Sequence, residues 1–197
     1  MGITCSGGMS YKATEEYKRS QGLKISAMYY RGDGWPGKNC LLSSNKTIES
    51  DHQGSLFERM FSSQIFKNPG CRNCRDHFAE NADISFCDFW DRREMSVEKE
   101  GNSCVITRNE RLEGIFSKLQ DEGYVEIVRE LNEKEVINSQ YQVLLAKKGD
   151  IREKKQFRLF MRVVDYIFKH RIYKFFSIRI YKKFCTYYNR MCRNSHI

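Results

Sequence analysis

The chain has 197 residues, enough for one domain or one and a half with a real core, and its two prolines argue against long disordered linkers. No segment reaches the roughly 18 uninterrupted apolar residues of a membrane span, and the opening MGITCSGGMS lacks the basic start and apolar stretch of a signal peptide, so a cytoplasmic location is expected. The net charge of +9 is uneven: residues 151–197 carry 13 Lys and Arg against two acids, which leaves 21 against 23 in the first 150, and a slightly acidic body excludes a nucleic-acid-binding domain.

From the N-terminus, SYKATEEYKRSQG reads as a helix with Ser10 as N-cap, acids in its early turns and Gly22 as its stop. KISAMYY reads as a strand, and RGDGWPG, Arg31 to Gly37, follows it with the letters of the dinucleotide fingerprint G-x-G-x-x-G. That fingerprint needs a helix after its third glycine, so that backbone N–H groups point at a pyrophosphate. Here Pro36 disfavours helical geometry at Trp35, and KNCLLSSNKTIES has no helical periodicity; NCLLSS reads as a strand entering a polar turn at SNK. The expected element is a glycine-rich hairpin loop, with Trp35 near its tip packed on core or on a ligand.

GSLFERMFSSQIF reads as a second helix, closed by the breaker NPG. ADISFCDFW and SCVITRN have strand character, RLEGIFSKLQDEG is a short amphipathic helix stopped by Gly123, YVEIVREL reads as a strand, and EKEVINSQYQVLLAKKG as a helix. Strands and helices mixed without a regular repeat predict an α+β fold, a small mixed sheet with flanking helices. From Lys154 onward, Phe157, Phe160, Met161, Val164, Ile167, Phe168, Ile172 and Phe175 recur at helical spacing with Arg158, Arg162, Lys169 and Lys174 interleaved. This is a basic amphipathic C-terminal helix, whose stripe docks on a core or partner; the other use of such a helix is a membrane surface. The charge step divides the chain into a body, residues 1–150, and a basic aromatic tail, residues 151–197.

Eight cysteines, Cys5, Cys40, Cys71, Cys74, Cys87, Cys104, Cys185 and Cys192, would suit a disulfide framework in a secreted protein, but no export signal supports that compartment. Metal or cluster binding is the live alternative. In CRNC, Cys71 and Cys74 are spaced so that one metal or cluster holds both, and Arg72 and Arg75 favour thiolates beside them. A structural zinc site wants a second pair, and His77 gives an order that is not a standard finger. A thioredoxin-type pair would open a helix, whereas this one leads into RDHFAENADIS.

CRNCRDHFAENADISFCDFW resembles the C-terminal region of the coenzyme F420 hydrogenase/dehydrogenase beta-subunit family, where a cysteine pair precedes an Ala-Asp-Ile stretch and a Gly-Asp-aromatic-Trp segment. GITCSGGMSYKATEEY is similar to that family's segment around a cysteine, and RGDGWPG to its Arg-Gly-x-Gly-Trp-Pro-Gly loop, so three motifs stand in family order between Gly2 and Trp90. The resemblance implies an iron–sulfur flavoprotein, with a 4Fe-4S cluster, FAD and F420 as a substrate. It implies that Cys71, Cys74 and Cys5 are cluster ligands. It also implies that Arg31, Gly32, Gly34, Trp35, Gly37, Asp83 and Asp88 belong to the cofactor site, with Arg31 on a flavin phosphate or an internal acid, and Asp83 and Asp88 equally suited to turns or caps.

Two departures accompany the resemblance. Cys87 stands where the family pattern has glycine, as a spare ligand or a buried thiol. The chain also opens at MGITC, without the family's upstream half, so the expected partner is an upstream polypeptide or redox protein. Family relatives also occur beside polysaccharide-synthesis enzymes, so the electron donor need not be F420. With the tail's alternative use, the expected location extends to the inner face of a membrane. The rival reading is a non-catalytic zinc-binding or interaction module that docks through its basic tail.

Overall fold

The computed structural model describes residues 1–149 and 155–193. In chain order its elements are β1 (Gly2–Ile3), α1 (Tyr11–Ser20), β2 (Ile25–Gly32), β3 (Lys38–Ser43), β4 (Lys46–Asp51), α2 (Leu56–Ser62), α3 (Pro69–Asn73), β5 (Ile84–Asp88) and α4 (Arg92–Val97). These are followed by β6 (Ser103–Thr107), α5 (Glu110–Asp121), α6 (Glu133–Ser139), α7 (Tyr141–Lys148), α8 (Lys155–Lys169), a 3-10 turn (Ile172–Phe175) and α9 (Ile178–Arg193). The fold is α+β with small sheets and a basic C-terminal helical region, as the sequence predicts. Two compact units divide the chain: Met1–Ser6 with Arg75–Leu144, and Gly7–Cys74 with Leu145–Ile197.

The first unit is built on a three-stranded sheet in the order β1-β5-β6, with β1 parallel and β6 antiparallel to the central β5. Both longer strands are legible as apolar runs; β1 has only two residues and gives no periodic signal. Gly2 is required where it stands, because a Cβ there would lie 2.4 Å from that of Ala79. YVEIVREL is not a strand. Residues 124–131 have no regular structure, and Tyr124 and Val128 are exposed. The segment is tied by side chains instead of a ladder: Arg129 donates to Glu135 at 2.8 Å and to Glu94 at 3.2 Å. Strand-like alternation holds only where a neighbouring edge supplies the backbone partners. The helix expected over residues 133–149 breaks into α6 and α7 at Gln140, whose side-chain amide donates to Asp88 O at 2.6 Å.

The second unit holds the antiparallel meander β2-β3-β4. Ser10 caps α1 and Ser55 caps α2 by accepting from backbone N–H groups, and Gly22, with φ +68°, follows α1 in the left-handed region. α2 stops at Ser62, short of the predicted end, and Ile65 and Phe66 are buried beyond it. NPG does not merely break a helix: Pro69 opens α3, where its missing N–H costs nothing.

The tail's apolar stripe behaves as a core face along α8, but not at its predicted last position, Phe175, which is 87% exposed. Phe157, Phe160, Val164 and Ile167 are buried, while Arg158, Arg162 and Lys169 stay exposed. The predicted continuous helix is interrupted at Arg171, with φ +57°, before the 3-10 turn and α9. Ile167, Tyr173, Tyr181 and Cys185 join Ala13, Tyr17, Leu41, Phe57, Met60 and Phe66 in one cluster. Tyr181 Oη donates to Glu16 Oε2 and Tyr173 O, both at 3.0 Å, and Arg19 neutralises Glu16 at 2.6 Å. The expected body–tail boundary at 150/151 lies outside the described residues. No helix among the described residues is long and apolar enough to cross a membrane.

Candidate functional site

Cys71 and Cys74 close the short helix α3, Cys71 in its body and Cys74 as its C-cap. The pair therefore ends a helix, where the sequence pattern has it follow a turn. Its surroundings come from distant parts of the chain. The stretch Gly7–Ser10 runs antiparallel to Phe66–Asn68, through a Met9–Lys67 bridge, Ser10 N to Phe66 O at 2.8 Å and Asn68 N to Gly8 O at 3.0 Å. That pairing aims the Gly8 N–H at Cys71 Sγ, 3.4 Å away. From α7, Lys147 Nζ lies 3.9 Å from Cys74 Sγ.

Two lysines of this unit are buried to unusual depth. Lys147 is 2% exposed and Lys67 4%, in a class of residue rarely buried without a compensating anion or acceptor. Gly7, with φ +108°, leaves the room that the Lys67 stem fills: a Cβ there would sit 2.6 Å from Lys67 Cε. Arg72 donates to Lys67 O and Ile65 O and pairs with Asp165, and burial lowers its pKa from the usual guanidinium value without discharging it. The Gly8 N–H and Lys147 Nζ present donors to the two sulfurs, suited to any anionic group the pair holds. Among the described residues, no three of His, Cys, Asp and Glu converge as a ready metal cage. What fits a cluster here is one half-site of two thiols with its surrounding donors.

RGDGWPG is the hairpin between β2 and β3, so the Rossmann geometry is absent and the expected glycine loop is found. Gly34 and Gly37 have φ of +80° and +88°, and a Cβ on Gly37 would lie 2.8 Å from Gly32 O. Trp35 is buried, 8% exposed, whereas Arg31, Gly32 and Gly34 are exposed. At the loop's base a cavity of about 330 Å³ is lined by Asp33, Pro36, Gly37, Lys38, Asp51 and Gln53. On β3, Asn39 is fully buried; its Oδ1 meets His52 Nδ1 at 3.2 Å, and its Nδ2 has no hydrogen-bond partner.

The remaining predicted residues lie in the first unit. Cys5 is exposed, on the chain continuing β1; its N–H donates to His77 O at 2.8 Å and its carbonyl accepts from His77 Nδ1 at 3.1 Å. His77 is buried, with Nε2 facing Gln140 Oε1 at 3.3 Å. It is a clamp between Cys5 and the α6–α7 junction of its own unit. Asp83 is an exposed turn residue whose carbonyl accepts from Arg108 N, and Asp88 ends β5. Cys87 is buried on β5 opposite Cys104. Lys67, Lys147, the Gly8 N–H and Cys104 are not singled out by the sequence, because a lysine near a helix end and a glycine in a loop carry no local mark of what they face.

No curated protein matches the chain by sequence. Among solved structures, a chain from the xenon-derivatized F420-reducing NiFe hydrogenase complex of Methanosarcina barkeri is similar, with a TM-score of 0.45 and 17% identity over 79% of this chain. The match spans 50% of that chain, half its length. The sequence profile of the C terminus of the coenzyme F420 hydrogenase/dehydrogenase beta subunit matches residues 1–133, about two thirds of the chain. With three of its motifs placed on a helix end, a hairpin loop and a strand, the chain belongs to the coenzyme F420 hydrogenase/dehydrogenase beta-subunit family, whose C-terminal part it represents.

Proposed function

We propose that this chain is an iron–sulfur flavoprotein module of an electron-transfer oxidoreductase. In this reading Cys71 and Cys74 would hold a 4Fe-4S cluster, with Cys5 as a further candidate ligand, and a bound FAD would supply hydride exchange with F420 or a similar two-electron carrier. When bound, a flavin joins two-electron to one-electron chemistry, which a cluster alone cannot do. The observation that carries the proposal is the set of donors on the cysteine pair: Gly8 N–H on Cys71 Sγ and the buried Lys147 ammonium on Cys74 Sγ. Both stabilise negative charge and so favour the reduced state of a group held there.

The flavin is assigned to Arg31, Gly32, Gly34, Trp35 and Gly37, with Asp83 and Asp88 as polar contributors. Support comes from the exposed backbone of the loop and the unpartnered Nδ2 of Asn39, on the strand that follows it. A redox partner polypeptide completes the electron path. The exposed cations Arg158, Arg162, Lys169, Lys182 and Lys183 suit an acidic face of such a partner or an anionic membrane surface. The family's occurrence beside polysaccharide synthesis leaves donors other than F420 within this reading.

The test is anaerobic reconstitution with iron, sulfide and FAD, followed by elemental analysis and visible absorption. Brown protein whose iron is lost in Cys71→Ser, Cys74→Ser supports the proposal. Stoichiometric zinc without colour, or unchanged iron in the double variant, overturns it.

A further inference from the structure

Cys87 on β5 and Cys104 on β6 stand directly opposite in the antiparallel ladder, so both side chains leave the sheet on the same face. They share a buried cluster with Phe89, against which Leu131 and Val136 pack. Directly opposed residues of such a ladder have Cα atoms about 4.5–5.5 Å apart, inside the span of about 4.4–6.8 Å that a disulfide bridges. Neither thiol is in a disulfide. Closing a bond between them calls for side-chain rotation within one sheet and no change of register.

We propose that Cys87 and Cys104 form a redox-active dithiol, which a low-molecular-weight disulfide converts to an intramolecular bond stapling β5 to β6. Cys87 is the attacking sulfur. It is the more exposed of the two, at 8% against 3%. Its hydrogen bond with Cys104 outweighs burial and lowers its pKa to about 7. The same bond, together with burial, raises Cys104 well above the ordinary thiol range, so Cys104 keeps the proton while Cys87 ionises. The Cys87 thiolate attacks one sulfur of R–S–S–R, forming a mixed disulfide and releasing RS⁻. Cys104 then gives its proton to that thiolate or to water and attacks Cys87 Sγ, expelling the second RS⁻. Two protein thiols are oxidised, one small disulfide is reduced to two thiols, and the protons balance.

This inference rests on no metal, and it removes Cys87 from the candidate cluster ligands. The full chain is incubated with oxidised glutathione, quenched in acid, alkylated and digested without reduction. The expected product is a peptide linking Cys87 to Cys104, reopened by dithiothreitol; in Cys104→Ala, Cys87 stops at the glutathione adduct. Absence of the linked peptide, under conditions where the exposed Cys74 acquires glutathione, overturns the proposal. So does closure that occurs only after iron is stripped from reconstituted protein, because Cys87 is then a ligand. Failure of the cluster reading registers separately, in the iron content of the Cys71→Ser, Cys74→Ser variant.

Discussion

The two cysteine pairs of this chain are a controlled comparison in thiol chemistry. Cys71 and Cys74 are three residues apart on a helix end, partly open to solvent, and faced by a backbone N–H and a buried ammonium. Cys87 and Cys104 are 17 residues apart, joined only by sheet register, and faced by each other and by apolar side chains. In the first pair both sulfurs receive donors from elsewhere in the chain, the setting that suits a bound cluster or metal. In the second, the only strong donor to one sulfur is the other, so one ionises at the expense of its neighbour. The difference lies in the groups around each pair, and thiol count alone does not reveal it.

The largest expected effect separates the pairs outright. In protein reconstituted with iron and sulfide, Cys71→Ser, Cys74→Ser should lose essentially all cluster absorption, whereas Cys87→Ala, Cys104→Ala should retain it. Equal losses in the two double variants would collapse the distinction. A smaller effect probes the outside donors directly. Lys147→Met keeps the stem and removes the charge beside Cys74. The alkylation rate of Cys74 at neutral pH should fall, by up to about tenfold, with Cys87 unaffected. A rate unchanged in Lys147→Met would show that the ammonium does not act on that sulfur.

Much of this contrast is not legible in the sequence. The hairpin loop is, because Pro36 and the missing helical period after Gly37 are local facts, and the structure places it between β2 and β3. The Cys71–Cys74 pair is legible as spacing. Its donors are not: Gly8 is 63 residues from Cys71 and Lys147 is 73 from Cys74, and neither has a local pattern that names its target. YVEIVREL shows the opposite failure, a strand pattern without a ladder. The tail shows a third kind. Its stripe correctly predicts a buried face, but the break at Arg171 and the return through α9 depend on the core that Tyr181 and Cys185 enter.

That core offers a stability test in the unit holding the first pair. Tyr181→Phe removes a hydroxyl that donates to both Glu16 and Tyr173 O and leaves the aromatic packing in place. Destabilisation of about 1–3 kcal/mol is expected in denaturant unfolding, the range for stranding buried acceptors. The glutathione chemistry of Cys87 and Cys104, in the other unit, should be unchanged in this variant. Loss of that chemistry on Tyr181→Phe would mean that the two units do not respond independently.

The smallest expected effect is a change of shape in a pH profile, and its sign follows from the cross-strand hydrogen bond. The folded pKa of Cys87, about 7, lies below the ordinary thiol value of 9.0. Between those values the unfolded chain binds more protons at this residue than the folded one, so its contribution to stability rises with pH. Above that window the sign reverses, because Cys104 holds its proton in the fold and would release it on unfolding. Reduced protein should therefore gain stability from about pH 7 toward 9 and lose it beyond, relative to a variant without the pair. In Cys104→Ala the donor that steadies the Cys87 thiolate is gone, while burial still opposes ionisation. The midpoint for Cys87 alkylation should move upward from about 7, and the rise in melting temperature across that window should flatten. If the midpoint stays near 7 without Cys104, another neighbour holds the thiolate, and the pair does not act as a unit.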